Sequence, residues 1–135
     1  MSLAPLECAI AALRGGRAVR VGSLTILSVE TASDAMLDTA DPDRTAAVLV
    51  SGHRAAALGL SNQSEAAGST PVRIARSRWL DRDLVRAIAD AGRDLDRFVP
   101  GPLTVEAVGD EAVAEAALRL ARLAGLLPAL WLLES

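Results

Sequence analysis

The chain has 135 residues and 14.0 kDa, 51% hydrophobic, with 14 basic against 17 acidic side chains for a formal net charge of −3. That length fits one domain able to bury roughly two thirds of its unfolded surface, and its mild acidity leaves no electrostatic footprint for nucleic acid or an anionic membrane. One cysteine, Cys8, one histidine, His53, and no lysine or tyrosine exclude an intrachain disulfide, a thiolate zinc cluster made by this chain alone, Schiff-base chemistry and phenolic acid–base work.

In chain order, Leu6, Ile10 and Leu13 recur at helical spacing after Pro5 and stop at Gly15-Gly16, predicting a first helix. Val19 and Val21, the turn Gly22-Ser23 and the branched run Leu24 to Val29 predict a hairpin. Thr31 and Ser33 are able to cap a short helix through Leu37, ended near Asp41-Pro42-Asp43, and a strand follows over Ala46 to Val50. His53 to Leu58 has helical composition and stops at Gly59, whereas Ser61 to Thr70 lacks periodicity and reads as a mobile loop. Val72 to Ala75 predicts a short strand, and Asp81 caps a helix with Leu84, Val85, Ile88 and Ala91 on one face, closed by Gly92. After a loop over Asp94 to Pro102, Leu103 to Val108 alternates as a strand. Asp110 caps the clearest helix, with Val113, Ala117, Leu120, Ala121 and Ala124 on one face and Gly125 as its stop; Leu130 to Leu133 predicts a buried strand. Helices and strands interleave without a repeat, which predicts a single α/β or α+β domain, residues 1–135, with helices packed on a mixed sheet.

Candidate chemistry is sparse. His53 beside Arg54 is the lone imidazole, able to act as a base or ligand, though a solvated or capping histidine is commoner. Cys8 has no basic or histidine neighbour in sequence to activate it. Asp41 with Asp43, and Asp94 with Asp96, supply carboxylate pairs, but both stand in turns where aspartate bonds local backbone. Neither Gly15-Gly16 nor Pro100-Gly101-Pro102 has the glycine spacing of a phosphate loop. Arg82 and Arg86, four apart on one helix, have a spacing able to grip a phosphate, or they form a solvated face. The use of arginine for every positive charge, with abundant alanine, is attributed to base composition of the genome. No signal segment or membrane span is apparent, since Glu7 interrupts Leu3 to Leu13 and Leu126 to Leu133 is short and broken by Pro128. The expected location is therefore the cytoplasm.

The block from Glu115 through Leu-Ala-Gly-Leu-Leu-Pro to Ala129 resembles the closing segment of 3,4-dihydroxy-2-butanone 4-phosphate synthases. There a Gly-His-Thr-Glu-Ala motif opens the helix and a Leu-Ala-Gly-Leu-x-Pro turn leads to the last strand. Glu7 to Gly16 is similar to that family's opening helix, and Phe98-Val99-Pro100-Gly101-Pro102-Leu103 to a shortened Pro-Gly-His-x-Phe-Pro-Leu loop. The resemblance covers about half the chain and is weak over residues 61–93. It implies the synthase-like fold and a homodimer, in which the active cleft forms between subunits. It also exposes departures. Gly22-Ser23 stands where the family has an acidic Arg-Glu-x-Glu-Gly-Asp loop, Val113 where it has a magnesium-binding histidine, and Ala114 where it has threonine; Glu115 alone is retained. Magnesium needs several oxygen ligands, so no metal site, no cofactor and no synthase activity are expected. The order of Gly-Pro-Leu, Gly-Asp and Leu-Leu-Pro-Ala further resembles degenerate domains amino-terminal to GTP cyclohydrolase II in some alphaproteobacteria. The cyclohydrolase, with its three zinc-binding cysteines, would then follow Ser135. That implies an assembly or regulatory module of riboflavin biosynthesis. The alternatives are a residual ribulose 5-phosphate binder or lyase using Arg82, Arg86, Glu115 and His53, or an unrelated α/β interaction domain.

Overall fold

A computed structural model describes residues 4–60, 70–90 and 102–133. The predicted loop over Ser61 to Thr70 and the loop over Asp94 to Pro102 fall almost wholly outside the described residues, as do Ala91 and Gly92. The elements in order are α1 (Ala4–Arg14), β1 (Val19–Val21), β2 (Leu24–Ser28), α2 (Asp34–Ala40), β3 (Ala47–Val50), α3 (Gly52–Ala57), β4 (Val72–Ile74), α4 (Arg82–Ala89), β5 (Val105–Glu106), α5 (Glu111–Leu123) and β6 (Ala129–Leu133).

Side chains set the helix starts. Ser33, Ser51, Asp81 and Asp110 each place an oxygen on amides of the first turn, at Met36, Arg54, Leu84 and both Ala112 and Val113 respectively. The α2 cap is thus Ser33, and Thr31 instead donates its hydroxyl to the Leu13 carbonyl at 2.6 Å, tying the end of α1 to the end of β2. That join is close: Gly16 has φ of +75°, and a Cβ there would stand 2.6 Å from the Thr31 carbonyl oxygen.

The strands form one sheet in the order β1-β2-β6-β3-β4-β5. Every pairing is antiparallel, which corrects the expected mixed sheet. The reason lies in β6. Strands β2 and β3, consecutive and joined through α2, do run in the same direction, but β6 inserts between them and runs against both, pairing Leu27 with Trp131 and Val48 with Trp131. The architecture is therefore α+β, with strict alternation of strand direction across the sheet.

Period-two alternation then builds two cores. Leu27, Val48, Val50, Val72, Ile74 and Trp131 face Leu37 of α2, Ala55 of α3 and Val85 and Ile88 of α4. Ile26, Ala47, Leu49, Leu130 and Leu132 face the other way, onto Leu13 of α1 and Ala114, Ala117, Leu118 and Ala121 of α5. Strands β3 and β6 are buried on both faces, which is why both read as unbroken apolar runs. The α1 stripe is only partly buried: Leu13 is enclosed, Ile10 half-buried and Leu6 exposed. On α5 the buried face turns to include Ala114 and Leu118, while Val113 lies at its margin against Gly22. Strand β5 is shorter than its alternating run, Leu103 to Val108. No helix of the described residues is long and apolar enough to cross a membrane.

Candidate functional site

The sheet separates the residues that a sugar-phosphate site would need together. Arg82 and Arg86 rise from α4 on one face; Glu115 projects from α5 on the other, exposed, in a small depression with Ser51, Gly52, Pro71, Leu118 and Arg122. That depression is at the carboxyl end of β3, where Val50 pairs with Val72 and Ala129. His53 is exposed in the first turn of α3. The constellation of Arg82, Arg86, Glu115 and His53 is thus not assembled within one chain.

Arg82 and Arg86 have partners of their own. Arg82 Nη1 lies 2.8 Å from Asp38 and 3.9 Å from Asp34, and Arg86 Nη2 lies 2.7 Å from Asp34. Both carboxylates stand on α2, so the pair clasps α4 to α2 rather than facing solvent with an empty fork. The Arg86 hydrogen bond and charge hold Asp34 below its ordinary pKa of 3.8, against a small opposing effect of desolvation. Arg82 keeps Nε and Nη2 buried without a hydrogen-bond partner.

The strongest polar assembly was not visible in the sequence. Arg76 follows β4 with its side chain 5% exposed, paired at 3.5 Å with Asp41, itself 7% exposed. Arg76 also donates to the Leu80 carbonyl at 2.7 Å and the Ala46 carbonyl at 3.3 Å, and its guanidinium carbon lies 4.9 Å from the Trp131 ring centroid. Burial lowers the pKa of Arg76 from its usual value, with Asp41 opposing that effect. Asp41 behaves as its turn predicts, accepting from the Thr45 and Ala46 amides at 3.0 and 3.2 Å. The added ion pair joins residues 35 positions apart, and no local pattern marks it. Asp43 lines a cleft beside this pair, whereas Asp94 and Asp96 lie outside the described residues. Cys8 is exposed on α1.

One contact bears on the resemblance. A Cβ on Gly22, whose φ is +56°, would stand 3.0 Å from Val113 Cγ2, so the β1–β2 turn rests on the first turn of α5. These are the positions that the resemblance aligns with the acidic loop and the histidine, and neither side chain here offers a donor to a cation. Among the described residues, no three carboxylate, imidazole or thiol groups gather as metal ligands would. Neither a scan against protein-family models nor a search of curated proteins gives a match.

Proposed function

We propose that this chain is a catalytically degenerate 3,4-dihydroxy-2-butanone 4-phosphate synthase-like domain, acting as an assembly or regulatory module for a GTP cyclohydrolase II partner in riboflavin biosynthesis. The contact between Gly22 and Val113 carries the reading. Two segments distant in sequence, which the resemblance assigns to one metal-binding centre, meet in space with a hydrogen and an isopropyl group where carboxylate and imidazole would be required. Glu115, retained from the motif, is exposed beside Arg119 and Arg122 and lies on the other face of the sheet from Arg82 and Arg86, so it stands apart from the arginine pair whose spacing suits a phosphate. What remains is a folded sheet with helical surfaces, suited to contact with other chains.

Incubation with ribulose 5-phosphate and magnesium, with formate as the measured product, tests the degenerate assignment. No formate above the uncatalysed background is expected. Formate production that disappears in Glu115→Ala would overturn the reading and restore a lyase.

A further inference from the structure

Asp43, Arg44, Thr45, Arg76, Ser77, Arg78 and Asp81 line a cleft of about 430 Å³ at the amino end of β3, on the α2–α4 face and at the opposite end of the sheet from Glu115. Its floor is a fixed cation. Arg76 is held by two carbonyls, one carboxylate and the Trp131 ring, so little side-chain entropy is left to lose when it meets a ligand. Above it, Arg44 and Arg78 are exposed and make no side-chain hydrogen bond or ion pair among the described residues. Arg44 is also the one described non-glycine residue with a positive φ, 57°. Such a backbone persists only when its surroundings impose it, and such positions cluster at ligand sites. Asp43 and Asp81 share the lining, and Asp81 directs one oxygen to the Leu84 amide as the α4 cap, at 2.8 Å. The hydroxyls of Thr45 and Ser77 add neutral donors to the lining.

We infer that this cleft is an oxyanion site that takes a small phosphate monoester, with Arg76 as its preorganised base and Arg44 and Arg78 closing on the phosphoryl oxygens. Guanidinium groups suit this role because their planar fork matches two oxygens of a tetrahedral anion. The inference is independent of the synthase-like reading, since it concerns another face and another end of the sheet.

The test is a titration of the whole chain, isotope-labelled and followed by amide chemical shifts, with glycerol 3-phosphate, inorganic phosphate and sulfate in separate arms. Saturable shifts centred on Thr45, Ser77 and Leu80 are expected with glycerol 3-phosphate and more weakly with inorganic phosphate. The double variant Arg44→Gly, Arg78→Ala removes both unpaired cations, and glycine is at ease with the left-handed backbone at residue 44. It should bind about tenfold or more weakly, the loss of at least one charge-assisted contact. Arg14→Ala, which removes an exposed charge at the end of α1, should bind as the parent does. Equal shifts with sulfate and phosphate would reduce the site to an adventitious ion only. Shifts elsewhere, unchanged affinity in the double variant, or equal weakening by Arg14→Ala would each overturn it. Should the double variant not fold, the location of the parent's shifts still decides.

Discussion

Asp41 shows how one side chain can organise a whole end of a sheet. One oxygen terminates the turn before β3 by accepting two amides, and the other faces Arg76, which in turn spans the Leu80 and Ala46 carbonyls and covers Trp131. Asp41→Ala leaves two amides and a buried guanidinium without their acceptor. Removing one partner from such a pair costs about 3–5 kcal/mol, and denaturant unfolding should show a loss in that range. Asp41→Asn should cost less, since an amide oxygen still serves the Thr45 and Ala46 amides. At Asp34 the consequence is a dependence on pH. Its pKa is depressed in the folded chain, so the clasp with Arg86 contributes above the ordinary value of 3.8 and is lost as pH falls through the depressed value. The melting-temperature gap between the parent and Asp34→Asn should be present at pH 7 and close as pH falls below 3.8; a gap independent of pH would refute the pairing.

At the scale of elements, what could be read in advance was whatever is encoded locally. Ser33, Asp81 and Asp110 cap α2, α4 and α5 because an oxygen three residues before an amide suffices, and Gly16 and Gly125 end α1 and α5 with left-handed backbones. Gly16 does more than end a helix, since Thr31 crosses it at a distance that only a hydrogen accommodates. Gly16→Ala should destabilise by more than the ~1 kcal/mol of an unfavourable φ alone, and Thr31→Ala, which removes the hydroxyl bond to Leu13, should not restore it, because the clash is with the backbone carbonyl. Calorimetric melting of the two single variants and the double would show this. What could not be read is equally specific. Nothing near Ala129 to Leu133 says that this run separates β2 from β3, because the pairings Leu27–Trp131 and Val48–Trp131 join residues 104 and 83 positions apart. The same limit hid the site: Arg82 and Arg86 have phosphate-grip spacing, but the acids that occupy them, Asp34 and Asp38, lie on another helix. Arg76 carries no motif at all.

For the molecule as a whole, the two-layered burial leaves its outer surfaces to the helices. On α5 Leu123 is 58% exposed and on α1 Leu6 is 38% exposed, the two large apolar side chains open to solvent among the described residues. The assembly role proposed above therefore predicts a homodimer, seen as a light-scattering mass of two chains and reduced to one by Leu123→Asp. A mass of one chain at high concentration would remove the dimer from the proposal. Single exposed leucines are otherwise ordinary, so the mass and not the exposure decides.

The position of β6 between β2 and β3 also bears on how the chain is made. Synthesis runs from the amino terminus, so β2 and β3 lack the strand that joins them until residues 129–133 have left the ribosome. Their edges are apolar on both sides, Ile26 and Leu27 on one and Ala47 to Val50 on the other, the kind of surface that pairs with a stranger if given time. A chain whose β6 has not yet paired is therefore open to aggregation through both of these edges.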